Sequence, residues 1–102
     1  MNVPDSQLHV LLHSPGPRWQ AGVPPRGQEG IEAHYAFVGR LAAEGLVVLA
    51  GPFLDAENGG MVLTRIESLD EAQRRAEEDE AVRSGLLSVR VRPWRVVTRG
   101  DE

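Results

Sequence analysis

The chain has 102 residues, of which 41% are hydrophobic and 25% are charged, a composition typical of one soluble domain with a small core. Its 15 acidic and 11 basic residues give a net charge of −4, so DNA or RNA is not expected as a partner. The absence of cysteine excludes disulfides and thiolate chemistry. The start "MNVPDSQLHV" has no charged-then-apolar leader, and no apolar run approaches the roughly 18 residues of a membrane span, so we expect a cytoplasmic protein without membrane contact.

The first strand and the first helix are predicted from hydrophobic periodicity. The segment "QLHVLLH" (7–13) alternates with period two, which indicates a strand. Residues 14–30 are dense in proline and glycine and predict a long functional or lid-like loop. A helix is predicted from about Gly30 to Glu44, and Gly45 follows it, where a left-handed cap is cheapest for glycine.

A β-hairpin is predicted in the middle of the chain. The nearly continuous apolar run "LVVLAGPF" (46–53) indicates a second strand, which Gly51 and Pro52 bring to an end. The turn residues "DAENGG" (55–60) separate it from a third strand, "MVLTRI" (61–66).

The last third of the chain predicts a helix and an edge strand. Ser68 followed by Glu71 forms a capping box that opens a second helix. The segment "LLSVRVRPWRVV" (86–97) predicts a fourth strand, whose arginines and Pro93 suit a sheet edge. Residues 97–102 are expected to fray.

The resulting order β-α-β-β-α-β predicts an α+β, ferredoxin-like antiparallel sheet with two helices on one face, as a single domain over residues 1–102. Strands two and three carry apolar residues at consecutive positions, which implies that the other face of the sheet is buried as well. Since the chain has nothing left to cover that face, we predict a homodimer in which two sheets pack face to face.

The familiar metal and nucleotide motifs are missing. His9 and His13 share a strand face but lie about 13 Å apart at about 3.3 Å per residue, too far to hold one metal between them. No His-x-x-x-His occurs on a helix, and no glycine-rich nucleotide loop or Gly-x-Ser-x-Gly elbow is present. We therefore predict neither a metal nor a cofactor.

His34 is a polar residue at a position where an amphipathic helix normally has an apolar one. It falls within the apolar stripe of the first helix, which consists of Ile31, Val38, Leu41 and Ala42. Such a histidine is either a packed residue with local partners or a titratable group held in a pocket for chemistry. Asp79 comes three residues after the stripe of the second helix, at its edge. A carboxylate that reached the imidazole would fix its tautomer and raise its basicity, as general acid/base catalysis requires.

Six segments together resemble the YCII-related (YciI-like) domains of the dimeric α+β barrel superfamily. They are "PGPRW" (15–19), "GIEAHYAFVGRLAAEG" (30–45), "LAGPFLD" (49–55), "GGMVLTRIESLDEA" (59–72), "EEDEAVRSGL" (77–86) and "VRPWRVV" (91–97). The resemblance implies a ferredoxin-like dimer and an active site at the histidine of "GIEAHYAF" and the aspartate of "EEDEAV", which are His34 and Asp79. The family usually has proline directly after this aspartate, whereas Glu80 follows here, which leaves the aim of the carboxylate open.

One known type of this family removes chloride from a chlorinated hydroxyquinone, which makes acid/base elimination a candidate chemistry. The sequence and the resemblance together predict a cofactor-free acid/base enzyme that acts on a small aromatic or cyclic molecule. Its activity would resemble that of a lyase (dehydrochlorinase), an isomerase or a hydrolase. In this prediction His34 transfers the proton and Asp79 orients the His34 imidazole. Trp19 and Phe53 are candidates to wall the pocket, and Arg18 to pair with an anionic group or simply to face solvent.

Two other functions remain open. The first is a non-catalytic ligand-binding or accessory module in which the His-Asp pair is only a satisfied buried hydrogen bond. The second is haem binding through His34, because other α+β barrel families hold haem, although nothing in the sequence marks a haem pocket. Trp94 on the last strand is assigned to dimer or core packing rather than to ligand stacking.

Overall fold

The structure is a computed structural model that describes residues 7–100. Residues 1–6, which belong to the segment on which the prediction of no leader is based, lie outside this range. Residues 101–102, the last two of the tail predicted to fray, lie outside it as well. Four strands form, β1 (Gln7–Pro15), β2 (Val47–Pro52), β3 (Gly60–Thr64) and β4 (Leu87–Arg95). Three helices form, α1 (Ile31–Ala43), α2 (Leu69–Ala76) and α3 (Glu80–Arg83), and a 3₁₀ turn spans Pro25–Gly27.

The strands form one antiparallel sheet in the order β2-β3-β1-β4, which confirms the α+β, ferredoxin-like fold. The predicted hairpin is the β2-β3 pair, in which a register shift between Val47 and Leu49 bends β2. Among residues 7–100, β4 pairs with β1 alone and is an edge strand, as its arginines and Pro93 predicted.

The end of α1 shows how glycine terminates a helix. Gly45 has φ 78°, a left-handed conformation that is cheapest without a Cβ. Its amide donates to the carbonyl of Ala42 at 3.0 Å, and the amide of Leu46 donates to the carbonyl of Leu41 at 3.0 Å. These two bonds form a Schellman motif, and they turn the chain directly into β2.

The segment predicted to form one second helix forms two helices, α2 and α3. The prediction that Asp79 lies on the edge of that second helix is therefore wrong. α2 begins as expected, with Ser68 Oγ accepting from the amide of Glu71 at 3.1 Å, but it ends at Ala76. The amide of Glu77 donates back to the carbonyl of Gln73, and Asp79 then opens α3. The helix breaks because the Asp79 side chain offers the backbone a competing local hydrogen bond.

Both faces of the sheet bury apolar side chains. The helices cover one face, where a core forms from Leu11, Phe37, Leu41, Val62 and Ala76. A second cluster, called here the open-face cluster, lies on the other side and consists of Leu8, Val10 and Leu63 with Leu12, Val48, Met61 and Val96 packed against them. None of the helices over residues 7–100 is long and apolar enough to cross a membrane.

Candidate functional site

A histidine and an aspartate meet where α1 passes the start of α3. His34 Nδ1 lies 2.6 Å from Asp79 Oδ2. The Asp79 side chain is fully buried, whereas 16% of the His34 side chain is exposed. Because a carboxylate oxygen accepts, His34 carries its proton on Nδ1 in this contact, and Nε2 is left for another partner. The two residues that the sequence singled out are therefore paired in the fold.

Asp79 is aimed at His34 by its place at the start of a helix. Its other oxygen, Oδ1, accepts from the amide of Ala81 at 2.9 Å and caps α3. Asp79 has φ −70° and ψ 117°, the extended conformation that a following proline would favour. The N-cap position thus orients the carboxylate with Glu80 in place of the proline of the family.

A second histidine, His13 near the end of β1, completes the group. Its ring lies edge-on to the His34 ring with 4.6 Å between the ring centroids, and its Nε2 is 3.9 Å from Asp79 Oδ2. His13 is buried, and neither of its ring nitrogens has a hydrogen-bond partner among the described residues. By contrast, His9 on the same face of β1 bonds the carbonyl of Ile66 through Nδ1 at 2.6 Å. His13 therefore differs from an ordinary packed histidine.

Burial sets the charge of His13. Desolvation, and to a smaller extent the neighbouring His34, lowers the pKa of His13 from 6.5 to about 4, although the Asp79 carboxylate acts in the opposite direction. His13 is consequently a neutral imidazole at pH 7.

The loop after β1 is held in place by a buried glutamine. Gln28 Nε2 donates to the carbonyls of Gln20 and Val23 at 2.9 and 2.8 Å, and Gln28 Oε1 accepts from the amide of Gln20 at 2.9 Å. The base of the loop is fastened to the start of β4 through the amide of Gly16, which donates to the carbonyl of Leu86 at 2.9 Å. Hydrogen bonds thus hold the proline- and glycine-rich segment at Gln20, at Val23 and at its base.

A cavity of about 610 Å³ lies against the His-Asp pair. His13 and His34 line it from the sheet and from α1, and the 59–60 segment closes one side. Most of its other lining side chains are apolar, and three aromatic or aliphatic ones, Tyr35, Phe53 and Leu54, are exposed at 49%, 43% and 94%. An apolar cavity with a few convergent polar groups is the usual form of a small-molecule site.

The other predicted site residues divide between the cavity and the surface. Trp19 and Phe53 line the cavity. Arg18 does not line it, because its side chain lies along Gly85; the arginine at the cavity is Arg26. Trp94 stands opposite Leu8 in the β1-β4 register, on the open face, and is 49% exposed.

His13 was not predicted as a member of the site. Its distance from His9 along the strand excludes a metal between these two residues, but this says nothing about partners from other elements. The available signal was the face of β1: Leu11 packs with the helices, so His9 and His13, two residues away on either side, must face them too. Only the fold shows that α1 brings His34 over His13.

The protein is a ferredoxin-like α+β domain, since it has one antiparallel sheet with helices on one face. Its candidate small-molecule site is the apolar cavity beside the His-Asp pair. Within that class the chain belongs to the YCII-related domain family, whose family model matches residues 8–95. It is 36% identical over 69 residues to the uncharacterized protein YjpA of Bacillus subtilis (strain 168), a match covering 68% of this chain and 80% of YjpA. No solved structure matches the chain significantly. The resemblance seen in the sequence is thereby confirmed.

The geometry of α3 predicts that Glu80→Pro is tolerated. Glu80 is the first residue of α3, its amide donates no hydrogen bond among the described residues, and Asp79 already has the conformation that precedes proline. We expect the variant to unfold with a free energy about 0.4–1 kcal/mol higher, by urea denaturation, because proline restricts the unfolded chain. The His34 ring signals should be unchanged in NMR spectra.

Glu77→Pro is the matched control, since the amide of Glu77 donates to the carbonyl of Gln73 and proline would also disturb the end of α2. It should destabilise the domain by about 3 kcal/mol. A Glu80→Pro variant as unstable as this control would contradict the assignment of Asp79 as an N-cap.

The burial of His13 predicts a loss of stability in acid. Between about pH 4 and 6.5 the unfolded chain binds a proton at His13 more readily than the folded chain, so stability falls as the pH decreases through this window. The lowered pKa of His13 corresponds to a loss of roughly 3 kcal/mol in the free energy of unfolding at pH 4, relative to neutral pH. Urea denaturation in EDTA-containing buffer at pH 7 and 4.5 should show a smaller pH-dependent loss for His13→Phe than for wild type. Equal losses, or a His13 NMR titration centred near pH 6.5, would refute this.

Proposed function

We propose that this YCII-related protein is a cofactor-free acid/base enzyme for a small molecule. The observation that carries the proposal is the contact of 2.6 Å between His34 Nδ1 and the fully buried Asp79 carboxylate, at the wall of an apolar cavity. An imidazole hydrogen-bonded to a carboxylate in this way has a fixed tautomer, which leaves its Nε2 without a proton and able to act as a general base.

In the proposed reaction, His34 Nε2 takes a proton from a carbon or hydroxyl of the substrate, and Asp79 stabilises the imidazolium that forms. In an elimination, the electron pair of the broken C–H bond forms a double bond while the leaving group, such as chloride, departs with its own electron pair. In an isomerisation, His34 returns the proton to a different carbon. Both reactions are balanced without an oxidant or a cofactor.

The walls of the cavity favour a flat, mainly apolar substrate. Trp19, Tyr35 and Phe53 offer ring surfaces, and Arg26 is a cation at the wall that could meet a phenolate or carboxylate. Small hydroxylated and halogenated aromatic or cyclic compounds combine these features with an acidic proton and a leaving group. They form the proposed substrate class.

A non-catalytic binding module is the alternative, and one observation favours it. Asp79 caps α3 and is fully buried, so its contact with His34 also has a purely structural reading. In that case the cavity would bind the same compounds and leave them unchanged. The haem alternative has no supporting observation; a Soret band on reconstitution would reveal it.

We further propose that the protein is a homodimer joined through the open face of the sheet. The helices pack on the opposite face, and the open-face cluster borders Leu49, which is 68% exposed beside Leu63 in the β2-β3 register. Leu8, Val10 and Leu63 are already buried within the chain, so the surface that a second copy would cover is that of Leu49 and of Trp94, which is 49% exposed on the same face. The cytoplasmic location and the single-domain organisation stay predictions from the sequence.

Turnover tests the acid/base proposal. Wild type should release halide from, or change the ultraviolet spectrum of, at least one compound in a panel of halogenated and hydroxylated aromatics. His34→Ala should lower kcat by about 10²–10⁴-fold, the usual contribution of a general base. Asp79→Asn, which keeps an oxygen for the α3 cap, should lower kcat while the fold is retained.

His9→Gln is the matched control, since His9 is a buried histidine on the same strand face with its own carbonyl partner. Its kcat should stay near that of wild type. Binding of panel compounds without any turnover would reject the enzyme and establish the binding module.

The dimer is tested by light scattering after size exclusion. Wild type should show twice the mass of one chain. Leu49→Asp should shift the equilibrium towards the monomer because it places charge in the apolar interface. Leu69→Asp, the same change at the exposed start of α2, should leave the dimer intact. A monomeric wild type, or equal behaviour of the two variants, would exclude this interface.

A further inference from the structure

We propose that His13, His34 and Asp79 form a binding site for one divalent transition-metal ion of the zinc type, at the wall of the cavity. Each residue offers one ligand atom, and the three atoms lie within 4.8 Å of one another. They come from β1, from α1 and from the N-cap of α3. Two imidazoles and one carboxylate, with a position left open towards a cavity, are the ligand set of catalytic zinc sites and of non-haem iron sites.

The spacing of the ligand atoms suits a small ion. Metal–ligand bonds of about 2.0–2.1 Å in a tetrahedral arrangement place neighbouring ligand atoms about 3.3 Å apart. The distances to Asp79 Oδ2 bracket this value, since His34 Nδ1 lies at 2.6 Å and His13 Nε2 at 3.9 Å. The nitrogens of the two imidazoles lie within 4.8 Å of each other, so metal binding requires the His13 and His34 rings to move together by up to about 1.5 Å while the contact of His34 with Asp79 opens.

His13 supplies an independent reason to expect a ligand. Its side chain is 1% exposed, and both ring nitrogens lack a hydrogen-bond partner among the described residues. A buried polar group without a partner costs about 1–3 kcal/mol, so such groups are uncommon unless something binds them. Since Nε2 lies near the carboxylate, a cation between them would use the imidazole lone pair and the carboxylate charge together.

The chemistry of the ligands selects the metal. Imidazole nitrogens suit Zn²⁺, Co²⁺ and Fe²⁺, whereas Ca²⁺ and Mg²⁺ prefer all-oxygen ligand sets. His34 would have to give up the proton that it shares with Asp79 in order to bind the ion through Nδ1. The metal-bound state and the acid/base pair are therefore alternative states of the same side chains. When bound, the ion would supply a Lewis acid at the cavity.

Calorimetric titration of the chelator-treated full chain with Zn²⁺ alone tests the site. We expect one Zn²⁺ per chain for wild type. His13→Phe keeps an aromatic ring in the same place but has no ligand atom, and it should bind Zn²⁺ at least about a hundredfold more weakly, since even indirect support of a metal ligand is worth 10–100-fold. His9→Gln, the matched control, should bind like wild type. Absence of stoichiometric binding, or equal binding by His13→Phe, would overturn the proposal.

A measurement on wild type covers the case in which His13→Phe does not fold. Zn²⁺ should shift the NMR signals of the His13 and His34 rings and leave those of His9 in place, whereas shifts confined to other residues would refute the site. Neither measurement depends on turnover. If the protein shows no turnover, the metal site is therefore not refuted. If the protein does not bind Zn²⁺, the acid/base proposal is not refuted.

Discussion

The arrangement around the cavity depends on how one buried carboxylate is satisfied. Asp79 has no exposed side-chain surface, and removing a charged group from water is costly unless it is paired and hydrogen-bonded. Its two oxygens meet this requirement in different ways, one through the amide of Ala81 and the other through His34. The first contact starts α3, and the second draws α1 against it. Asp79 therefore joins the two helices, together with the buried apolar cluster that contains Ile31 of α1 and Ala81 of α3.

The same carboxylate explains why the two histidines of β1 differ. His9 and His13 occupy the same face of the strand and are equally buried, at 4% and 3% exposure. His9 is satisfied by the carbonyl of Ile66, which belongs to the fold alone. His13 faces Asp79 and His34 instead and has no hydrogen bond among the described residues. A local departure from the rule that buried polar groups are satisfied is more typical of a functional site than of a core.

The fold was predictable because its signals are local. The period of 7–13, the glycine after α1 and the capping residue Ser68 each act over a few residues, and together they determine the order of the elements. The pairing of His34 with Asp79 was predictable only in part, from two helical stripes on one sheet face and from the family resemblance. The break after Ala76 and the approach of His13 depend on competition between hydrogen bonds and on contacts across three elements, and no local pattern records these. The presence of Arg26 at the cavity was not predictable for the same reason, because the course of the loop depends on Gln28.

The candidate site therefore has two parts, which differ in how strongly substitutions in them are expected to change the stability of the fold. Its floor, made by Asp79, His34 and His13, is also a helix cap and an interhelical contact, so changes there affect stability and chemistry together. Its rim is different. Tyr35, Phe53 and Leu54 are 43–94% exposed and take little part in the buried clusters, so they can be exchanged at small cost to stability. Under the proposed function, the chemistry at the cavity is consequently tied to the fold, whereas the choice of ligand would be set by rim residues on which the fold depends little.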